Sequence, residues 1–224
     1  LKYITEKIDF LTSHLLGKHY AFDHNNIISK AYARKINRKL KGKSFDLIFA
    51  PAASIEIANL EVDVPIVYVS DTTISLFFDY YNDYYSSLLD KSKKEANNIE
   101  KSAINKADLL LYPSNWAADS AISDYNANES KVFVIPFGAN IDRIPSKGTI
   151  SQKKKSDKCK LLFLGAEWER KGGKIAFETL IELKKLGIEA ELTICGCIPP
   201  DEFKHENMRV IPFLNKNDEY QSKI

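Results

Sequence analysis

Seven short apolar runs set the strongest constraint on what this chain can fold into: DLIFA from residue 46, PIVYVS from 65, ADLLLY from 107, KVFVIP from 131, KLLFLG from 160, AELTIC from 190 and MRVIPF from 208. Most are apolar without a break. A strand with one wet face alternates in polarity, whereas an unbroken run suits a parallel sheet covered on both faces. Between the runs lie helical patterns: Ile4, Ile8, Leu11 and Leu15; then Ala118, Ala121, Ile122 and Tyr125; then Ala176, Leu180 and Leu183. Apolar residues three and four apart line one face of a helix. Strand, helix, strand in repetition predicts an α/β protein built from doubly wound parallel sheets. At 224 residues, 44% of them hydrophobic, the chain is long enough for one large or two modest domains.

One stretch departs from the alternation. RIPSKGTISQKKKSDKCK, from Arg143 to Lys160, holds seven basic residues against one acidic residue and few apolar side chains. It reads as a linker, which divides the chain into residues 1–142, a basic connection at 143–158 and residues 159–224. Contact with an anionic membrane surface is the other use of such a run. The solvated connection is preferred, because the apolar residues of a membrane-inserting helix are missing.

Composition narrows the function classes. The formal net charge of +2 gives no reason to expect nucleic acid. Three cysteines in a chain without a signal-like start, and no apolar stretch near the about 20 residues of a membrane helix, point to a reducing cytoplasm. Cys195 and Cys197 are one residue apart with no second ligand cluster, so no metal site is expected. His14, His19 and His24 recur every five residues, a spacing that holds no common helix face, and read as solvent-facing.

The turn after KLLFLG carries the clearest chemistry. Open α/β sheets bind ligands at the carboxyl ends of their strands. Here Gly165 is followed by Arg170, Lys171, Gly172 and Gly173 at the start of a helical pattern. Unpaired amides at a helix N-terminus, glycines that let an anion approach the backbone, and two cations together suit a diphosphate. A solvated turn is the alternative, since Glu167 and Glu169 offset the cations. There is no Walker-type G-x-x-x-x-G-K-[ST] and no G-x-G-x-x-G after any strand, which argues against P-loop and dinucleotide enzymes.

LLFLGAEWERKGGKIAFETLIELKKLGIEAELTICGCIPP resembles the donor-binding half of a retaining glycosyltransferase of the family 4 type, in which a strand ends in Gly and the following turn ends in Lys-Gly. ADLLLYPSNWAADSAISDYNANESKVFVIPFGANID resembles the last strand, helix and strand of such an enzyme's acceptor domain. FDLIFAPAASIEIA and DVPIVYVSDTTISLFFDYY resemble the strands before it. The resemblance spans about residues 45–218 in order. It implies the GT-B plan: two Rossmann-like domains facing a cleft, the second partial, with an acceptor side at 1–142 and a nucleotide-sugar donor side at 159–224. It further implies that Gly165 is the glycine of close approach and that Lys171 pairs with the donor diphosphate. Many relatives carry Arg directly after that glycine, where this chain has Ala166, and Arg170 is read here as the cation that can replace it; the resemblance also implies that Gly172 opens the helix and that Gly196 and the Phe213 region border the nucleotide. Where relatives often carry a His after the strand matching PIVYV, this chain has Ser70, Asp71 and Thr72. The paired glutamates of the family are expected beyond Ile224 and its glycine-rich acceptor loop before Leu1, so the chain is expected to be incomplete at both ends.

The expected function is therefore sugar transfer from a nucleotide-sugar donor to a saccharide, lipid-linked or small-molecule acceptor, with retention of configuration and with neither cofactor nor metal required. A degenerate GT-B binding protein and a non-hydrolysing nucleotide-sugar epimerase stand as alternatives. Asp71 is a candidate general base or a helix cap. Ser114 reads as an N-cap, and Trp168 either shields the phosphate site or packs on the helix. Phe77, Tyr81 and Tyr84, at spacings of four and three, read as a helical stripe on the core, with a sugar-binding aromatic face as the other reading.

Overall fold

The computed structural model describes residues 2–139, 144, 146–151 and 156–213. The chain divides into two compact units, Leu1–Asn140 and Ile141–Ile224. The first unit runs α1 (Lys2–Leu16), α2 (Asn26–Leu40), β1 (Ile48–Pro51), α3 (Ser54–Ile57), β2 (Ile66–Val69), α4 (Ile74–Tyr80), α5 (Asn82–Tyr85), α6 (Asp90–Lys106), β3 (Leu109–Tyr112), α7 (Asn115–Ser123) and β4 (Val132–Val134). The second runs α8 (Lys147–Ser151), β5 (Cys159–Leu164), α9 (Gly173–Lys185), β6 (Ala190–Cys195) and β7 (Met208–Ile211). The short helix α8 occupies part of the segment expected as a linker. Residues 152–155 of that segment lie outside the described ones.

All seven apolar runs form strands, and every strand pairing is parallel. The sheets are ordered β1-β2-β3-β4 and β5-β6-β7. A sheet that advances in one direction through right-handed crossovers keeps its connecting helices on one face. Burial follows this rule. Ala50, Ile66, Tyr68, Leu110 and Tyr112 share one face and are buried with Ile55, Ile99, Ala103 and Ala117 from the helices. Phe49, Leu109 and Phe133, on the other face, are exposed. In the second unit Phe163, Ala190, Leu192 and Ile194 pack with Trp168 and Leu180, while Leu162 and Leu164 face outward.

Local signals set the helix starts. Ser114 caps α7, its Oγ accepting from Ala117 N–H, as its position before NWAADS predicts. The first helix differs from expectation in how it is held. Its Ile4, Leu11 and Leu15 stripe is exposed, and its one buried residue is Thr5. Thr5 Oγ1 lies 2.6 Å from the Phe22 carbonyl, and Asp9 Oδ1 accepts the Tyr20 N–H at 2.8 Å. Polar anchoring to the following loop thus replaces burial of the stripe.

A carboxyl group sits inside the first core. Glu100 is 1% exposed and accepts the Tyr68 hydroxyl at 3.1 Å. Burial pushes its pKa up to about 7, against the lowering effect of its Ser54 and Tyr68 hydrogen bonds. An acid with a raised folded pKa keeps its proton in the native state after the unfolded chain has lost it. Stability is therefore full below the ordinary carboxylate range and falls as pH rises toward 7. At about 1.4 kcal/mol per pKa unit the loss is roughly 3 kcal/mol. Glu100→Gln keeps an acceptor for Tyr68 and removes the titration, so it is expected to become the more stable protein above neutrality. Thermal melts of both forms between acidic and mildly alkaline pH test this, and parallel curves would refute it.

Candidate functional site

The turn between β5 and α9 is built by its own packing. Gly165 N–H donates to Cys195 O at 2.9 Å and extends the β5-β6 ladder by one residue. The strand it ends lies at one end of the described sheet rather than at its centre. A Cβ on Gly165 would stand 3.1 Å from Cβ and Cγ of Lys171, so glycine lets the lysine fold back over the strand end. Gly196 has φ +108, and a Cβ there would lie 2.8 Å from the Gly165 carbonyl oxygen. Gly172 has φ +77, a left-handed backbone that glycine adopts without strain. Gly173 begins α9, and its missing side chain is filled by the Trp168 ring. Trp168 is a core residue, 6% exposed, with its ring tilted against those of Phe163 and Phe203. Of its two expected roles, packing is therefore the one the fold uses.

The two cations differ. Arg170 makes a double contact with Glu167, Nε to Oε2 at 2.8 Å and Nη2 to Oε1 at 2.6 Å. That contact holds the Glu167 carboxyl below its ordinary pKa. Lys171 is exposed and makes no ion pair among the described residues. No side chain caps α9. Its first-turn amides keep the partial positive charge of a helix N-terminus. Phe213 is exposed two residues past the end of β7.

On the first unit, Asp71 is exposed and does not cap α4. Thr73 does, its Oγ1 accepting the Leu76 N–H at 3.3 Å. Thr73 is fully buried and also bonded to Ser120, and this second anchor decides between the two neighbours.

The aromatic segment corrects another expectation. No residue of α4 is buried, and Phe77 and Phe78 line a cavity of about 630 Å³ instead of joining the core. Tyr85 closes that wall, its ring centroid 5.1 Å from Phe77 and 5.6 Å from Phe78. The opposite wall is residues 19–24, with Asp9 from α1. His19 is exposed and its Nδ1 lies 3.1 Å from Asp9 Oδ1. His24 faces inward, contrary to the reading of its spacing. Its Nε2 is buried without a hydrogen-bond partner, and burial lowers its pKa. Asp9, His19 and His24 were missed because nothing local distinguishes them. The described side chain of Tyr81 packs on Phe77, while that of Tyr84 lies outside the described residues.

Comparison with known proteins decides the family. The profile of Glycosyltransferase Family 4 matches residues 12–143, more than half of the chain. The chain belongs to glycosyltransferase family 4. The matched span covers most of the first unit and ends before β5, so the turn at 165–173 stands on its own geometry. No curated protein matches the chain. Among solved structures it is similar to one described as the glycotransferase of kitacinnamycin, at 11% identity and a TM-score of 0.42. That match covers 87% of this chain and 57% of the other, so the chain spans little more than half the length of that relative.

Proposed function

We propose that this protein transfers a sugar from a nucleotide-sugar donor to an acceptor hydroxyl with retention of configuration, the first unit serving the acceptor and the second the donor in a GT-B plan. The observation that carries the reading is the β5–α9 turn, where an unpaired Lys171 stands beside an uncapped helix start. Family membership supports the reaction class. When the bond from the sugar C1 to the diphosphate oxygen breaks, negative charge grows on the leaving group. Lys171 and the positive end of α9 are suited to balance it. Arg170 adds less, because its guanidinium is held by Glu167. Gly165, Gly172 and Gly196 shape the backbone, and Phe213 borders the nucleotide. Asp71, which is not used as a cap, is the carboxylate we assign as base for the acceptor hydroxyl. The three free cysteines, Cys159, Cys195 and Cys197, favour a reducing cytoplasm. Among the described residues no helix is long and apolar enough to cross a membrane.

The test is nucleoside diphosphate release from a panel of UDP, GDP and ADP sugars with cell-derived acceptors, the anomeric configuration of the product being read by NMR. No release across the panel overturns the reading, and an inverted product overturns retention. Because Lys171 and α9 supply the positive charge, the rate is expected to be unchanged by excess EDTA. A loss that magnesium or manganese restores would refute metal independence.

A further inference from the structure

The cavity of the first unit has a chemistry of its own, and the donor turn makes no use of it. Its volume of about 630 Å³ suits a ligand of one or two sugar rings. Phe77, Phe78 and Tyr85 form one wall, with tilted rings at about 5 Å spacing that offer faces and edges to the C–H surface of a pyranose. Asp9 and Asp23 bring two carboxylates to the lining, and among the described residues no lysine or arginine joins them. A phosphorylated or carboxylated ligand would meet these carboxylates in a partly desolvated space, where His19 beside Asp9 is the one lining group able to carry positive charge among the described residues. A neutral ligand avoids that repulsion, and an ammonium group gains from it.

His24 lines the same cavity, but its Nε2 is covered by protein and makes no hydrogen bond, so its ring belongs to the wall.

We infer that this cavity binds a neutral or amine-bearing glycoside as the acceptor moiety, with its ring on Phe77, Phe78 and Tyr85 and its polar groups toward Asp9 and Asp23, and that it disfavours phosphorylated sugars. The word acceptor rests on the sugar-transfer reading; the glycoside site itself does not.

The experiment is saturation-transfer NMR on the 224-residue protein with methyl glucoside, methyl glucosaminide and glucose 6-phosphate at millimolar concentration. The two uncharged or amine-bearing glycosides are expected to bind, the amine more tightly, and glucose 6-phosphate is not. Phe77→Ala should weaken both by about tenfold, the worth of one stacked aromatic ring. Asp23 is exposed at the rim, so Asp23→Lys should leave the fold intact. It should reduce methyl glucosaminide binding several-fold and admit glucose 6-phosphate. An unchanged ranking in Asp23→Lys, glucose 6-phosphate binding best to the unaltered protein, or no saturation transfer from any probe overturns the proposal. A UDP titration of the same sample separates this failure from that of the donor reading. UDP binding that Lys171→Ala abolishes, without glycoside binding, removes only the cavity proposal. Glycoside binding without any nucleoside diphosphate binding removes the transfer reading and leaves the glycoside site.

Discussion

Gly173→Ala is expected to destabilise the second unit by about 3 kcal/mol or more, the upper end of what overpacking a core costs. The added methyl would lie 2.2 Å from Cδ2 and Cε3 of Trp168, an overlap of more than an ångström that no rotamer of alanine relieves. The indole cannot easily give way. It is nearly buried between Phe163 and Phe203, whose centroids are 5.4 and 5.2 Å away, in the cluster that also holds Leu180 and Ile194. Alanine gains up to about 1 kcal/mol of helix propensity over glycine, which the overlap outweighs. Trp168 and Trp116 are the only tryptophans and lie in different units. Urea unfolding followed by fluorescence in a Trp116→Phe background therefore reports the second unit alone. Combining Gly173→Ala with Trp168→Leu, followed by far-UV circular dichroism because no tryptophan remains, should lift the clash that Gly173→Ala suffers alone. An unchanged midpoint for Gly173→Ala would refute the packing account and return that glycine to a ligand role.

Lys171→Ala is expected to lower kcat for sugar transfer by about a hundredfold to a thousandfold, the range for removing one preorganised group that stabilises developing negative charge. The side chain is exposed, so folding should survive its truncation. Arg170→Ala should cost less, because the guanidinium is already committed to Glu167 at 2.6 and 2.8 Å and its charge is partly spent. Steady-state kinetics on the two variants decide the point. A Lys171→Ala enzyme with unaltered kcat/KM removes the lysine from the mechanism, and a larger defect for Arg170→Ala would exchange the two roles.

The elements legible in the sequence share one property: their causes are local. Short runs of Val, Ile, Leu and aromatics read as strands, and all seven became strands, although one face of each sheet is exposed among the described residues rather than covered as the unbroken runs suggest. The start of α9 was legible from Gly172-Gly173 and the cap of α7 from Ser114, because a helix end is set by contacts within three or four residues. The presence of phosphate-compatible residues at a strand's carboxyl end was legible for the same reason.

What the residues do there was not. Both glycine readings of the turn assumed an approaching ligand, yet Gly173 faces Trp168 and Gly196 faces the Gly165 carbonyl, contacts made only when the core and the β5-β6 ladder close. Thr73 rather than Asp71 caps α4 because Ser120, 47 residues on, reaches its hydroxyl. The aromatic stripe of α4 was assigned to the core by its spacing, and spacing alone cannot say what lies opposite. The cavity needs residues 9–24 and 74–88 together, and its inward His24 follows from that closure. The sequence by itself determined the α/β class, the strands and the starts of α7 and α9, since backbone hydrogen bonding and burial periodicity act within a few residues. Only the tertiary structure decided which side chains share a site, because those contacts join segments whose distance along the chain carries no periodic signal.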